Sequence, residues 1–173
     1  MVFGDKNSFA IEVEVNERYD DYFIGDGFIV VYIKNICYGR KEKLATSFPC
    51  SVKQLETFIK NNINNGIDLN KYTKDDIAFS YYIQNYSDLD LSMYNKDFLF
   101  KTKCLTTWDF DEAFDDGSYI IHFDYGDKTR IIGFKSCIIK DKCMVQKDSV
   151  NEVYIQREEF VRILGEVLNY LRM

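Results

Sequence analysis

The sequence predicts an α+β fold, a single domain with a largely antiparallel β-sheet, and three observations lead to this prediction. Short segments with β-strand patterns outnumber helical segments along the 173 residues. Two of them flank a two-residue Gly-Asp turn, which is typical of an antiparallel hairpin. Two amphipathic helices are evident, one after the third strand and one at the C-terminus, without the strand–helix alternation of a parallel sheet. Because no linker or internal repeat is visible, residues 1–173 are expected to form one domain.

The first three strands are predicted from their apolar patterns. Apolar residues occupy alternate positions from Phe9 to Val15, which is the period of a half-buried strand. Phe28 to Ile33 is β-branched and aromatic throughout, as in a strand buried on both faces. The polar stretch between them, Asn16 to Gly27, is expected to be a loop. Leu44 to Phe48 is predicted to be a third, short strand.

The first helix is predicted to begin at a capping box. In Ser51 to Gln54, the Ser and Gln side chains can satisfy free backbone N–H groups at a helix start. Apolar residues at helical spacing follow, and the helix is expected to end within 61–66, where four Asn and one Gly occur. Beyond it the pattern is weaker. Ile77 to Ile83 and Phe98 to Leu105 are predicted as strands.

The hairpin is the clearest local pattern. Gly126-Asp127 separates two β-rich segments, Tyr119 to Tyr125 and Lys128 to Phe134. A type II′ turn suits this arrangement, because glycine readily takes the positive φ that the turn requires. The register then follows, and Ile121 should lie opposite Ile132.

The chain is predicted to finish with a strand and a helix. Val150 to Ile155 has the composition of a strand, and Glu158 to Leu171 has the pattern of an amphipathic helix. The apolar residues of that helix recur at three-to-four-residue spacing and are Phe160, Ile163, Leu164, Val167, Leu168 and Leu171.

The composition argues against nucleic-acid and membrane partners. The net charge is −6, from 22 basic and 28 acidic residues, and no cluster of five Lys or Arg occurs. Phosphate binding is therefore not expected, whereas a basic protein partner suits the charge. The longest apolar run, Phe28 to Ile33, is too short to span a bilayer. Residues 1–20 lack a signal-peptide pattern and the five cysteines are scattered, so we expect a cytoplasmic protein without disulfides.

No motif predicts catalysis, a metal or a cofactor. His122 is the one histidine, and its place in a predicted strand favours a structural role over a triad or zinc site. Gly25-Asp26-Gly27 precedes a strand, whereas a phosphate-binding Gly-rich loop follows one. Asp88 to Leu99 begins like a calcium loop but lacks the required Gly and Glu. We therefore expect a non-enzymatic protein without a cofactor that acts by binding.

The most charged segment is Trp108 to Asp116, in which five carboxylates are interspersed with aromatic residues. Acidic side chains accelerate the approach of a basic partner, and aromatic side chains can anchor it. The alternative is a solvated acidic loop whose aromatic residues pack inward. Two aspartates near residue 20 form a second acidic candidate. The predicted partner-binding residues are Trp108, Asp109, Phe110, Asp111, Glu112, Asp115, Asp116, Asp20 and Asp21.

The segment Gly4 to Val15, GDKNSFAIEVEV, resembles the start of the immunity-protein 42 family of bacterial polymorphic toxin systems. Three later landmarks occur in the order found in that family: Gly27 to Ile33, Leu44 to Phe48 and Lys128 to Ile132. Val153 to Ile155, directly before an amphipathic helix, fits as well. The resemblance implies a small cytosolic protein that binds a cognate toxin and blocks it. It brings no catalytic residues, and it identifies neither the interface nor the chemistry of the toxin.

Three functions from different classes of protein stay open. The leading hypothesis is an immunity protein that occludes its toxin with a surface of about 800 Å² per partner. An acidic mimic of nucleic acid would spread its carboxylates along one face, whereas here they are concentrated in one segment. A metal-dependent hydrolase would use residues such as Asp109, Asp111 and Asp115. The leading hypothesis predicts that a gene for a large secreted toxin lies beside this one.

Overall fold

The described part of the chain contains two antiparallel sheets. The structure is a computed structural model, and it describes residues 1–19, 24–60, 68–86, 97–99, 105–108, 110–139 and 142–173. The predicted α+β class with antiparallel pairing is confirmed. The strands are β1 (Val2–Gly4), β2 (Phe9–Tyr19), β3 (Ile24–Ile33), β4 (Ile36–Tyr38), β5 (Thr46–Ser47), β6 (Thr106–Thr107), β7 (Ser118–Tyr125), β8 (Lys128–Ile139), β9 (Lys142–Val145) and β10 (Asn151–Gln156). The longer helices are α1 (Phe48–Lys60), α2 (Lys74–Tyr86) and α3 (Arg157–Arg172), and 3-10 turns lie at Asp111–Phe114 and Lys147–Ser149.

The first sheet has the order β1-β2-β3-β4, with β5 paired to β3. Phe9 lies opposite Ile33, and the β2–β3 ladder continues past a bulge between Val15 and Glu17. The loop predicted for Asn16 to Gly27 is therefore wrong at both ends, where the two strands still pair. The reason is that ladder hydrogen bonds join main-chain groups and do not require apolar alternation.

The second sheet has the order β10-β8-β7-β6, with β9 paired to the end of β8. The predicted hairpin is confirmed, since Ile121 lies opposite Ile132. Gly126 has a φ of 62°, as the first central residue of a type II′ turn requires. The predicted last strand and last helix are present as β10 and α3.

Helix α1 begins earlier than predicted. It starts at Phe48 with Pro49 in its first turn, a position that tolerates the missing N–H of proline. Ser51 lies inside the helix, where its Oγ donates to the carbonyl of Ser47 at 3.4 Å. The expected capping box at Ser51 is therefore wrong.

Helix α2 lies where the sequence predicts a strand, so that prediction is wrong. Ile77 to Ile83 is helical, because Thr73 and Asp76 form a reciprocal cap directly before it. Thr73 Oγ1 accepts from the Asp76 N–H at 3.1 Å, and the Asp76 carboxylate accepts from the Thr73 N–H at 3.2 Å. The strand predicted for Phe98 to Leu105 is also wrong at its start, since residues 97–99 are helical, while residues 100–104 lie outside the described residues.

Two hydrophobic clusters lie on opposite faces of the second sheet. Alternate residues of the hairpin divide between them: Ile120 and Ile131 join the first sheet, α1 and α3, whereas Ile121 and Ile132 join α2. Both faces of this hairpin are thus buried, which explains why apolar residues occupy adjacent positions at Ile120–Ile121 and Ile131–Ile132. In the part of the chain described, no helix is long and apolar enough to cross a membrane.

Candidate functional site

The aromatic residues of the predicted interaction segment lie in the core. Trp108 is 2% exposed, and its indole Nε1 donates to Nδ1 of His122 at 2.7 Å. Its ring is 5.2 Å from that of Phe58 and 5.5 Å from that of Phe110, measured between centroids. Phe110 and Phe114 are buried too. The structure therefore places these aromatic side chains inward, as in the alternative interpretation, and they cannot serve as exposed anchors in this conformation.

His122 has the structural environment that its strand position predicts. Its ring is 1% exposed and packs against Phe58 and Phe160 at centroid distances of 4.7 and 5.1 Å. Burial, with a smaller contribution from the positive charge of Arg157, lowers the pKa of His122 to about 3. The imidazole is therefore neutral at physiological pH, and its Nδ1 can accept the Trp108 hydrogen bond.

Three hydrogen bonds to its main-chain groups fix the backbone that follows Trp108. We call residues 110–117 the acidic turn. The Ala113 N–H donates to the carbonyl of Ala45, and the Arg40 N–H donates to the carbonyl of Ala113, both at 2.7 Å. Thr46 Oγ1 donates to the carbonyl of Phe110 at 3.1 Å. The acidic turn is thus held to residues 40–46 and presents its side chains from a defined backbone.

The carboxylates of the acidic turn differ in their surroundings. Glu112 and Asp115 are exposed. Asp116 is half-buried, pairs with the Lys135 ammonium at 3.0 Å and accepts the Ser118 N–H at 2.9 Å. Glu112 and Asp115 are therefore available to a partner, whereas Asp116 holds the turn to β7 and β8.

Four of the predicted residues are aspartates without a described side chain. Asp111 begins the 3-10 turn, and only its backbone position is described. Asp20, Asp21 and Asp109 lie outside the described residues. Within the described ranges, no group of three or more His, Cys, Asp or Glu side chains could hold a metal ion.

The sequence reasoning missed an apolar residue beside the acidic turn. Leu44 was expected in a strand, but the strand is only Thr46–Ser47, and Leu44 is 58% exposed. Its φ of 69° is uncommon for a residue other than glycine. Since the Ala45 carbonyl accepts the Ala113 N–H, Leu44 is one residue away from the main-chain bond that joins this segment to the acidic turn. No sequence pattern indicates this juxtaposition, because it arises between segments about 70 residues apart.

A charge cluster on the first sheet was also missed. Glu12 accepts hydrogen bonds from Lys6 at 2.6 Å, from Lys41 at 2.9 Å and from the Tyr32 hydroxyl at 2.9 Å. Burial alone would raise the pKa of Glu12, but these three donors outweigh it and lower the pKa to about 2. The cluster ties the 40–46 segment to β2, so it supports the same backbone that holds the acidic turn.

Fold and surface together define the class of this molecule: a two-sheet α+β protein that presents exposed carboxylates on a fixed backbone. The chain matches the family described as Immunity protein 42 over residues 1–170, and it therefore belongs to that family. The predicted resemblance is confirmed by this match.

One solved structure has a similar fold over nearly the whole length of both chains. It is the crystal structure of CdiI from Burkholderia dolosa AUO158, with a TM-score of 0.65 and 16% sequence identity. The alignment covers 98% of this chain and 99% of the other. At this identity the likeness establishes the fold alone. No curated protein sequence matches the chain.

Proposed function

We propose that this protein neutralises a cognate bacterial toxin domain by binding it and occluding its active site or an adjacent surface. Its membership of the Immunity protein 42 family over residues 1–170 is the observation that carries the proposal. We further propose that it acts by binding alone, without catalysis, in the cytoplasm of the cell that produces the toxin. Its partner is expected to be basic, since the chain has a net charge of −6.

The acidic turn is the surface that we propose for the first contact with the toxin. Glu112 and Asp115 are exposed on it, and Leu44 is an exposed apolar residue of the segment bonded to it. Exposed carboxylates attract a basic partner over roughly 8 Å at physiological salt and so accelerate association. Because the backbone of the turn is already held by hydrogen bonds, binding should lose little conformational entropy there.

The proposal is tested with the protein encoded by the neighbouring toxin gene. The purified toxin domain should bind this chain in a 1:1 complex, and co-expression should restore growth of cells that the toxin alone inhibits. If the two proteins do not associate and growth is not restored, the proposed function is wrong.

The contact surface is tested by removing charge without removing volume. In the double variant Glu112→Gln and Asp115→Asn, the association rate should fall about 3- to 10-fold at low salt, and its dependence on salt should weaken. A matched control is Glu14→Gln with Glu158→Gln, which changes the net charge equally at two exposed positions elsewhere. Equal effects of both pairs would show that net charge matters and that the acidic turn does not contact the toxin.

A further inference from the structure

A groove lies between α2 and the segment that contains β9 and the following 3-10 turn. Its volume is about 630 Å³, which is within the range of sites that accept several side chains or a drug-sized ligand. One wall is formed by α2, including Asp75, Asp76 and Phe79, and the opposite wall by Met144, Val145 and Lys147. Its lining also includes Tyr72 and Phe98, whose rings stack at a centroid distance of 3.9 Å. We call this feature the α2 groove.

Two large apolar side chains in the α2 groove are exposed. Phe79 is 39% exposed and Met144 is 44% exposed, although both contribute to the lining of a concave surface. Helix α2 already buries Ile77 and Tyr81 against the second sheet, so Phe79 is not needed to cover that core. Aromatic residues and methionine are enriched where proteins bind proteins, since they contribute much area and adapt to a partner's shape.

The charge of the α2 groove indicates the chemistry of its occupant. Two carboxylates lie on the α2 wall and one ammonium, that of Lys147, lies on the other. Asp75 is 4.0 Å from the Lys74 ammonium, which itself donates to the carbonyl of Val150. Asp75 is therefore only weakly compensated and retains negative charge for a partner. A lysine or arginine on the partner would complement this wall.

Buried polar contacts hold the segment that leads into α2. Arg130 is 2% exposed and pairs with Glu152 at 2.7 Å, and its guanidinium donates to the carbonyl of Tyr72 at 3.2 Å. The Thr73–Asp76 cap then continues this segment into α2. One wall of the groove is thus held by a buried cation and a helix cap, so its shape exists before any partner binds.

We propose that the α2 groove is a second contact site for the toxin, distinct from the acidic turn, and that it accepts a toxin segment with an apolar side chain next to lysine or arginine. This inference rests on the proposed function. The apolar side chain packs between Phe79 and Met144, and the cationic group pairs with Asp75. The groove then supplies the apolar contact that the buried aromatic residues of the acidic turn cannot supply.

The decisive experiment compares two pairs of exposed apolar residues. The groove variant is Phe79→Ala with Met144→Ala, and the matched control is Ile36→Ala with Tyr125→Ala, whose residues are 39% and 41% exposed. Binding to the purified toxin domain is measured by calorimetry for affinity and by surface plasmon resonance for the dissociation rate, after circular dichroism has shown that each variant is folded. The groove variant should lose at least 10-fold in affinity, mostly through faster dissociation, whereas the control should change less than 3-fold.

The charge in the α2 groove is tested by Asp75→Asn alone, since Asp76 caps α2 and is left unchanged. We expect an affinity loss of about 3-fold that disappears at high salt. Hydrogen exchange on the wild-type complex gives a readout that does not depend on variants. Amides within 75–80 and 144–147 should exchange more slowly in the complex than in the free protein.

Each outcome separates the inference from the function on which it rests. If the wild-type protein binds its toxin while the groove variant binds equally well, or if these amides gain no protection, the groove site is wrong and the proposed function stands. If the wild-type protein does not bind the toxin, both are wrong. If light scattering shows that the groove variant only disrupts a dimer of this chain, the occupant is a second copy and the inference is overturned.

Discussion

The acidic turn and the α2 groove differ in whether aromatic side chains are buried or exposed at the surface. In the acidic turn the carboxylates Glu112 and Asp115 are exposed, whereas Phe110 is buried with the adjacent Trp108. In the α2 groove, Phe79 is partly exposed beside two carboxylates and one ammonium. The difference shows that the aromatic residues of the most charged segment are buried, whereas an aromatic side chain far from it in sequence is exposed. An aromatic residue next to a carboxylate in the sequence therefore does not identify an exposed anchor.

The largest expected effect comes from replacing the aromatic residue beneath the acidic turn. Trp108→Ala should lower the free energy of unfolding by about 3–5 kcal/mol, because it leaves a cavity among rings and removes the hydrogen bond to His122. Phe79→Ala should cost less than about 1 kcal/mol, since that side chain is partly exposed. Urea denaturation of both variants checks the contrast, and equal losses would contradict it.

The second largest expected effect is a loss of stability in acid, because His122 lies in the same region as Trp108. The folded state lowers the pKa of His122 from 6.5 to about 3, so between these values the unfolded chain binds a proton that the folded chain does not. This contribution to stability is complete above pH 6.5 and decreases as the pH falls toward 3. The wild-type protein should lose about 2 kcal/mol between pH 6 and 4 from this group.

His122→Asn is the control for that pH dependence. Asparagine can still accept a hydrogen bond from Trp108 but does not titrate, so the decrease between pH 6 and 4 should become smaller. Glu12 acts at lower pH: its pKa is lowered from 4.5 to about 2, so its contribution is present above 4.5 and is lost as the pH falls toward 2. Denaturant midpoints measured across this range test both statements, and an identical pH profile for His122→Asn would exclude the histidine as the cause.

The stability of the α2 wall of the groove should depend on the buried guanidinium of Arg130. Glu152→Gln removes the carboxylate that pairs with Arg130 and should lower the free energy of unfolding by about 1–3 kcal/mol. Because Arg130 also holds the carbonyl of Tyr72, Glu152→Gln should bind the toxin more weakly than the wild-type protein as well. Glu158→Gln, at an exposed position, is the control. Normal stability of Glu152→Gln would show that this ion pair does not support the wall.

The smallest effect is expected within the acidic turn itself. Asp116→Asn weakens the pairing with Lys135 while keeping an acceptor for the Ser118 N–H, and should cost about 1 kcal/mol. Asp115→Asn, at an exposed position of the same turn, should leave stability unchanged within about 0.5 kcal/mol. Thermal unfolding of the two variants compares them directly. A larger loss for Asp115→Asn would mean that this carboxylate has a structural role.

Much of the fold follows from local patterns, and the exceptions have physical causes. The register of the hairpin was predicted correctly, because a Gly-Asp turn and two apolar segments agree on it, although β8 continues to Ile139. Helix α2 was missed because its aromatic and β-branched residues resemble a strand, although Thr73 and Asp76 provide a helix cap. The pattern T-x-x-D was the local signal that could have found it.

The sequence alone determined the class of fold, the hairpin register, the final amphipathic helix and the resemblance to the family. Each of these is recognised from local patterns of residue type along the chain. The tertiary structure alone decided which side chains are exposed. Trp108 and Phe79 are both large and apolar, and only packing against distant segments buries the first and leaves the second accessible. Side-chain exposure depends on contacts between segments far apart in sequence, which hydrophobic periodicity does not record.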